Sequence, residues 1–262
     1  MFRDRGLSSD TSVFQNFAVE QALREIAAAR LLAQVSVRRV AVIGPGLDIA
    51  DKEDGFDFYP QQTLQPFAIV DSLIRLGLAG TDVLPTLTFD LNPHVTGHLK
   101  AARLRARSGE FYSIQLAQNT SEHWTPALED FWNRFGERIA RPSVAVRPPS
   151  NAGEVAVRAV QVRPAVVLAT IPHDLNIVVQ RQAFVSEADR FDLVVATNIL
   201  VYYGPFEQSL ALTNIAQMLK PGGLFLSNDF ALPVARMTLA GYTDVPYTDR
   251  GDGDRIWWYQ RN

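Results

Sequence analysis

Three short segments carry the residue types of a nucleoside-binding site. In VAVIGPGLD, Val40 to Asp48, glycines at 44 and 46 let the backbone turn sharply and approach a ligand without interference from a Cβ. In TFDLNP an acid, Asp90, closes a run with strand character. A carboxylate at that edge can accept hydrogen bonds from both hydroxyls of a ribose. Asp90 or Asn92, ahead of Pro93, would also serve as the cap of a following helix. In FDLVVATNILVYY, Asn198 follows the continuous apolar run Leu193 to Ala196, the place where a parallel sheet sets its ligand-binding groups. A dinucleotide fingerprint would want a third glycine after Gly44 and Gly46, which this turn lacks, and that disfavours pyrophosphate. Asp90 lies 44 positions after Gly46 (90 − 46), about twice the roughly 20 residues usual for such units, so a loop inserted at about 49–65 is expected.

The elements that must position these residues follow from periodicity. A helix is expected over 11–34, with Phe17, Ala18, Leu23, Ile26, Ala27 and Leu31 as its apolar positions, and then a strand over Val40 to Ile43. Pro66 to Leu78 returns to helical spacing, and the second strand ends at Asp90. After the Leu193 strand, Leu212, Ile215, Ala216 and Leu219 give a helix one apolar stripe. Lys220 suits the negative end of that helix, and Pro221-Gly222-Gly223 turns into the strand Leu224 to Leu226. Strand and helix in alternation argue for a doubly wound, mostly parallel sheet. The C-terminal YTDVPYTDRGDGDRIWWYQR reads as a hairpin.

Residues 106–149 interrupt the rhythm with Phe111, Tyr112, Trp124, Phe131, Trp132 and Phe135. Within them Thr125 suits an N-cap and Pro126 the first helical position. The segment is expected either to pack over the carboxyl edge of the sheet or to cover one of its faces. Val155 to Ile171 reads as two strands split near Pro164.

Composition narrows the partners. The 262 residues are 47% hydrophobic, enough for a substantial core in one α/β domain with insertions. A net charge of −3 gives no general attraction to nucleic acid or to an anionic membrane, and the basic Lys100 to Arg107 stretch has the spacing of a solvated helix face. The absence of cysteine removes disulfides, thiolate metal sites and a cysteine nucleophile. His94 and His98 are spaced i, i+4, but nothing nearby completes a metal site, so no metal is expected. With no long apolar run and no apolar leader at MFRDRG, a cytoplasmic protein is expected.

The block from FDLVVATN to LKPGGLFLSND, together with GPGLD and Asp90, resembles the motifs of class I S-adenosylmethionine-dependent methyltransferases. The resemblance covers about Val40 to Pro93 and Val166 to Asn262. It implies an α/β, seven-stranded, Rossmann-like sheet with an antiparallel C-terminal hairpin, as a single domain over 1–262 with inserts at about 49–65 and 106–149. It also implies S-adenosylmethionine as cofactor. Gly44, Pro45 and Gly46 would hold its aminoacid end and the ribose side, and Asp90, Leu91 and Asn92 would lie at the ribose. In HDLNIVV, Asp174 or Asn176 would meet the adenine amine and Leu175 or Ile177 the ring face; Asn198 and Ile199 complete the pocket. Locally the sequence is similar to the chemotaxis-receptor glutamate methyltransferases, in which asparagines matching Asn176 and Asn198 contact the cofactor. It departs from them at Thr197, where that family has arginine, and their N-terminal helical domain is not recognisable here. Family members often carry an acid where Val42 stands.

Methyl transfer from a sulfonium asks the protein chiefly to orient the nucleophile and exclude water. No triad is visible and no catalytic residue is assigned; His173, Tyr202 and Tyr203 are candidates by position alone. Asn198 is followed by Ile-Leu-Val rather than the Pro-Pro-aromatic of nucleic-acid amino methyltransferases, which argues against a base-flipping enzyme. The expectation is a methyltransferase of a small molecule, with the two inserts as a lid and Tyr59, Trp124, Trp132, Tyr202 and Tyr203 near the substrate. A protein carboxyl methyltransferase, or a degenerate fold that only binds a nucleoside, are the alternatives.

Overall fold

The computed structural model describes residues 13–47, 58–80, 83–150, 152–231 and 233–262. Its strands, numbered along the chain, begin with β1 (Val40–Ile43), β2 (Thr86–Asp90), β3 (Tyr112–Asn119), β4 (Ala140–Ser143) and β5 (Val155–Val162). They continue with β6 (Thr170–Asp174), β7 (Phe191–Ala196), β8 (Leu219–Ser227), β9 (Met237–Pro246) and β10 (Gly253–Arg261). The helices are α1 (Val13–Ala28), α2 (Gln65–Arg75), α3 (Pro93–Arg107), α4 (Pro126–Arg134), α5 (Pro164–Ala169) and α6 (Pro205–Met218).

Seven strands pair in the order β6-β2-β1-β7-β8-β10-β9. The first five run parallel, and β10 enters antiparallel between β8 and β9. The result is a seven-stranded α/β sheet, mostly parallel, with an antiparallel C-terminal hairpin. Because alternate residues of a strand face opposite sides, Val40, Val42, Leu193, Val195, Leu224 and Leu226 pack towards α1 and α2. Ala41, Ile43, Val194, Ala196 and Phe225 pack towards α6. The purely apolar β1 and the centre of β7 are thus covered on both faces, as their continuous hydrophobic runs require.

Several elements differ from the sequence expectation. Helix α1 ends at Ala28, not 34, and Arg30 and Val35 take left-handed backbone angles beyond it. Val155 to Ile171 holds one strand of a second sheet, then α5 and the start of β6; Pro164 opens a short helix at its first position. The insert is itself a three-stranded antiparallel sheet in the order β3-β5-β4, reaching Val162 rather than stopping at 149. Pro221-Gly222-Gly223 forms a bulge inside β8, where Gly223 lies so close to the Phe191 and Asp192 carbonyls that a Cβ would stand 3.1 and 3.2 Å from them. Lys220 is not left to the helix end: its Nζ donates to Asp192 Oδ1 at 2.6 Å, while Asp192 Oδ2 accepts from the backbone N–H groups of Arg38 and Arg39.

The inserted sheet stands on α2 and the segment before it. The Asp71 carboxylate accepts from the Gly136 and Arg138 N–H groups at 3.0 and 2.9 Å. Gln62 and Gln115 exchange two bonds at 2.7 Å. Buried Glu20 of α1 pairs with buried Arg75 of α2 and accepts from Ser72 Oγ, so the charges removed from water are matched. Thr125 caps α4 as expected, accepting from Leu128 N–H. No helix among the described residues is long and apolar enough to cross a membrane.

Candidate functional site

At the carboxyl edge of β1 the chain leaves the sheet through Gly44 and Gly46, both left-handed at φ 64° and 63°. Gly44 N–H donates to Phe89 O of β2 at 2.8 Å, which pins the turn against the neighbouring strand. A Cβ on Gly44 would fall 2.0 Å from Ile199 Cδ1, so this glycine answers both a backbone and a packing demand. Pro45 is buried beneath the turn, and its carbonyl accepts from Thr63 Oγ1 at 3.3 Å.

Asp90 ends β2 half-buried. The two roles open for TFDLNP separate here. Asn92 is the helix cap, its Oδ1 accepting from His94 N–H at 2.9 Å, whereas Asp90 Oδ1 accepts from Asn92 N–H at 2.8 Å. Burial pushes the Asp90 carboxyl above its ordinary range and Asp174 adds like charge, opposed by the N–H groups of Asn92, Gly46 and Leu91. A partly desolvated carboxylate with acceptor capacity to spare favours a ligand that brings hydrogen-bond donors.

Beyond β7 the chain enters Asn198, left-handed at φ 57°. Its N–H donates to Asn228 Oδ1 at 2.8 Å, and its Oδ1 accepts from Asn228 Nδ2 at 2.6 Å. Asp229 Oδ2 accepts from the N–H groups of Leu200 and Val201 at 3.1 and 3.3 Å. Behind Asn198, Thr197 is buried and Gln65 Nε2 donates to its Oγ1 at 2.6 Å.

These three edges enclose one cleft of about 580 Å³, a usual size for a small-molecule or cofactor site. The β1 turn contributes Gly44, Gly46 and Leu47; the β2–α3 corner contributes Asp90, Asn92, His94 and Val95. The loop after β7 contributes Thr197, Asn198, Ile199 and Tyr202, and Gln61 closes one side. Of the residues expected from sequence, Gly44, Gly46, Asp90, Asn92, Asn198, Ile199 and Tyr202 are brought together here. Leu91 is half exposed beside the lining. Asp174 is exposed at the end of β6, and Leu175 packs partly against the core, its N–H meeting Asp90 O at 3.4 Å. Asn176 spends its Oδ1 on Val178 N–H in a local turn, and Ile177 is a core residue. None of 174–177 is among the lining residues of the cleft.

The aromatic candidates divide. Tyr202 lines the cleft and is 78% exposed. Tyr203 is half-buried behind it, its phenol pushed up by burial, Glu207 and Asp90 and therefore protonated at neutral pH. Tyr59 is buried edge-on to Phe58. Trp124 and Trp132 do not line the cleft. Trp124 packs edge-on against Phe14 of α1, 5.4 Å between centroids, and pairs through its backbone with Thr248. Trp132 donates its ring N–H to Leu116 O within the insert. The expected lid over the cleft is therefore not built from 106–149: that segment is tied down by α1, α2 and the C-terminal hairpin. Asp48, Phe56 and the rest of 48–57 lie outside the described residues.

Among the histidines, His94 lines the cleft, while His98 Nε2 meets Tyr112 OH at 2.8 Å and is depressed by burial and Arg105. The i, i+4 pair is thus divided between two jobs, and no cluster of three metal-ligating side chains occurs among the described residues. His173 lies against the Phe89 ring, depressed by burial, Lys100 and Arg103, and is not in the lining. Sequence reasoning missed Leu47, Gln61, Val95 and Thr197 in the lining, gave His94 no place in it, and missed Asn228 and Asp229 behind it. The signal for the last two was present, since SND follows a buried strand just as TN does.

The chain matches no protein-family model and no curated protein. Among solved structures it is similar to the N-methyltransferase NodS from Bradyrhizobium japonicum WM9, with 11% identity and a TM-score of 0.40 over 93% of this chain and 97% of that one. It is also similar to the magnesium protoporphyrin IX methyltransferase ChlM from Synechocystis PCC 6803, with 12% identity and a TM-score of 0.39 over 94% and 80%. A glycopeptide N-methyltransferase, MtfA, gives 10% identity and a TM-score of 0.36 over 97% and 80%.

Proposed function

We propose that this protein is an S-adenosylmethionine-dependent methyltransferase acting on a small molecule. The observation that carries the reading is Asp90. The helix cap falls to Asn92, so the carboxylate at the end of β2 keeps acceptor capacity for a ribose diol, next to the Gly44–Gly46 turn. The sheet order, with β10 antiparallel between β8 and β9, supports it independently, because a dinucleotide dehydrogenase gives no reason for that hairpin. The donor set fits the cofactor. Asp90 would hold the ribose hydroxyls, the glycine turn would let backbone come close to the aminoacid end, and Asn198 and Ile199 would form the opposite wall.

When bound, S-adenosylmethionine supplies a methyl group on a sulfonium. The rest falls to the chain: Asp90 fixes the ribose, the loop after β7 sets the wall at the acceptor side, and Tyr202 stands at the mouth where an acceptor would enter. The Tyr203 phenol, raised and protonated, is suited to donate a hydrogen bond rather than to take a proton.

The test is calorimetry of the wild-type protein with S-adenosylhomocysteine and with NAD. Binding of the first and not the second is expected; the reverse sinks the reading. Labelled methyl transfer to a panel of small acceptors then identifies the substrate. A protein acceptor, such as a carboxylate side chain, is the second reading, favoured by one observation: Tyr202 of the cleft lining is 78% exposed, and Val201 and Phe206, close to it in the chain, are 63% and 76% exposed.

A further inference from the structure

Resting on the methyltransferase reading, we propose that Asn228, at the end of β8, is a positioning residue that sets which end of the Asn198 side-chain amide faces the cofactor cleft.

The hydrogen-bond chemistry leaves one arrangement. A backbone N–H can only donate, so the atom of Asn228 that meets Asn198 N at 2.8 Å is its carbonyl oxygen. The other end of the Asn228 amide is then NH2, a donor, and the Asn198 atom it meets at 2.6 Å must be Oδ1. What remains of the Asn198 amide is Nδ2, which has no hydrogen-bond partner among the described residues. The cleft wall therefore presents a donor at this point, suited to a carboxylate, carbonyl or hydroxyl oxygen of the ligand.

The backbone supports the same role. Asn198 is left-handed, a conformation that asparagine adopts more readily than most residues, and it is held there by a side chain thirty positions away in the chain. Asp229 continues the clamp over the next turn by accepting from Leu200 and Val201, so consecutive residues of one strand end fix the loop that carries Asn198, Ile199 and Tyr202. Asn228 itself does not line the cleft.

The experiment uses the full chain with S-adenosylhomocysteine as probe. Asn228→Asp keeps an oxygen for Asn198 N–H but replaces the NH2 with a second acceptor, which turns the Asn198 amide around and puts its oxygen into the cleft. Affinity is expected to fall about five- to tenfold, the worth of one hydrogen bond, while the melting temperature stays within a few degrees of wild type. In wild type, the Asn198 side-chain amide resonance, assigned by its loss in Asn198→Ser, is expected to move on titration. Wild-type affinity in Asn228→Asp overturns the proposal, whatever Asn228→Ala does, and so does an Asn198 resonance unmoved by saturating ligand. If wild-type protein does not bind S-adenosylhomocysteine, the methyltransferase reading itself fails, and that outcome is seen before any variant is made.

Discussion

Replacing Asp90 separates its ligand role from its local one. In the structure one carboxylate oxygen accepts from Asn92 N–H at 2.8 Å, a bond that tightens the corner leading into α3. A ribose diol would add two hydroxyl donors to a charged acceptor, each worth about 1.5–3 kcal/mol. Part of that gain is already spent on holding the charge in a half-buried place, as the raised Asp90 carboxyl indicates. The net loss on Asp90→Ala is therefore expected at about 1–3 kcal/mol, roughly 5- to 150-fold in affinity for S-adenosylhomocysteine by calorimetry. Asp90→Asn should fall between, because it keeps an oxygen for Asn92 N–H but loses the charge and one acceptor. Thermal melting provides the contrast. Asn92→Ala removes the cap of α3 and should cost about 0.5–2 kcal/mol of stability with little change in affinity, whereas Asp90→Ala should do the opposite. If Asp90→Ala binds as wild type and only its melting temperature drops, Asp90 is an anchor for the corner and the ribose argument is wrong.

Further outcomes follow from the same geometry. Asp90 is raised above its ordinary 3.8, first by burial and then by Asp174. Its ionised form is the better acceptor, so affinity for S-adenosylhomocysteine should strengthen as pH rises through the folded value and weaken below it. The stability it contributes has the other sign, fully present below 3.8 and lost as pH rises through that raised value. A pH series on Asp90→Asn should lose this step in affinity, and persistence of the step would point to another group. Gly44→Ala forces a Cβ to 2.0 Å from Ile199 Cδ1 at a left-handed φ, so both melting temperature and affinity should fall. Ile199→Val in that background, which lacks Cδ1, should recover part of each, and a fully stable Gly44→Ala would refute the packing argument. Tyr112→Phe takes the acceptor from Thr63 N–H, 2.8 Å away and buried. It should destabilise by about 1–3 kcal/mol, read by denaturant melts, and a neutral effect would show that the bond is replaced by water.

Much of the cleft was legible because its residues sit at strand ends whose strands are unmistakable. Val40 to Ile43 and Leu193 to Ala196 admit no other reading in an alternating chain, so Gly44 and Asn198 had to emerge at their carboxyl edges. The adenine side was not legible in the same way. Asn176 and Ile177 follow β6, but local geometry decides them: Asn176 closes a turn on Val178, and Asn214 of α6 donates to the carbonyls of Ile177 and Val178, drawing that segment into the core. Val155 to Ile171 misled for a different reason. A six-residue helix is too short to show a period, and Val166 and Val167 are β-branched, so α5 carried a strand's composition. In β3 the alternation of buried Tyr112, Ile114 and Leu116 was present, but its partner β5 lies beyond the 144–154 segment, and pairing at that distance leaves no local signal.

The insert still bears on the cleft, by a route that sequence position alone does not suggest. Gln61 lines one side of the cleft, and the residues that follow it face two ways. Thr63 Oγ1 donates forward to Pro45 O in the glycine turn, while Thr63 N–H and both ends of the Gln62 amide are held from behind by Tyr112 OH and the backbone of Gln115. The second sheet therefore acts as backing for a wall of the cleft, where a lid had been expected. A backing layer explains why its aromatic side chains are spent on α1, α2 and the hairpin: Phe131 meets Phe17 and the Arg75 guanidinium, and Trp124 meets Phe14. It also explains why buried charges at Glu20, Asp71 and Arg75 lie at that seam, since ion pairs and charge-assisted bonds to Gly136 and Arg138 fix one register where apolar packing alone would tolerate sliding. Rigidity at the back of the Gln61 to Thr63 segment is then rigidity of the glycine turn, and the turn is where a cofactor would need the backbone already in place.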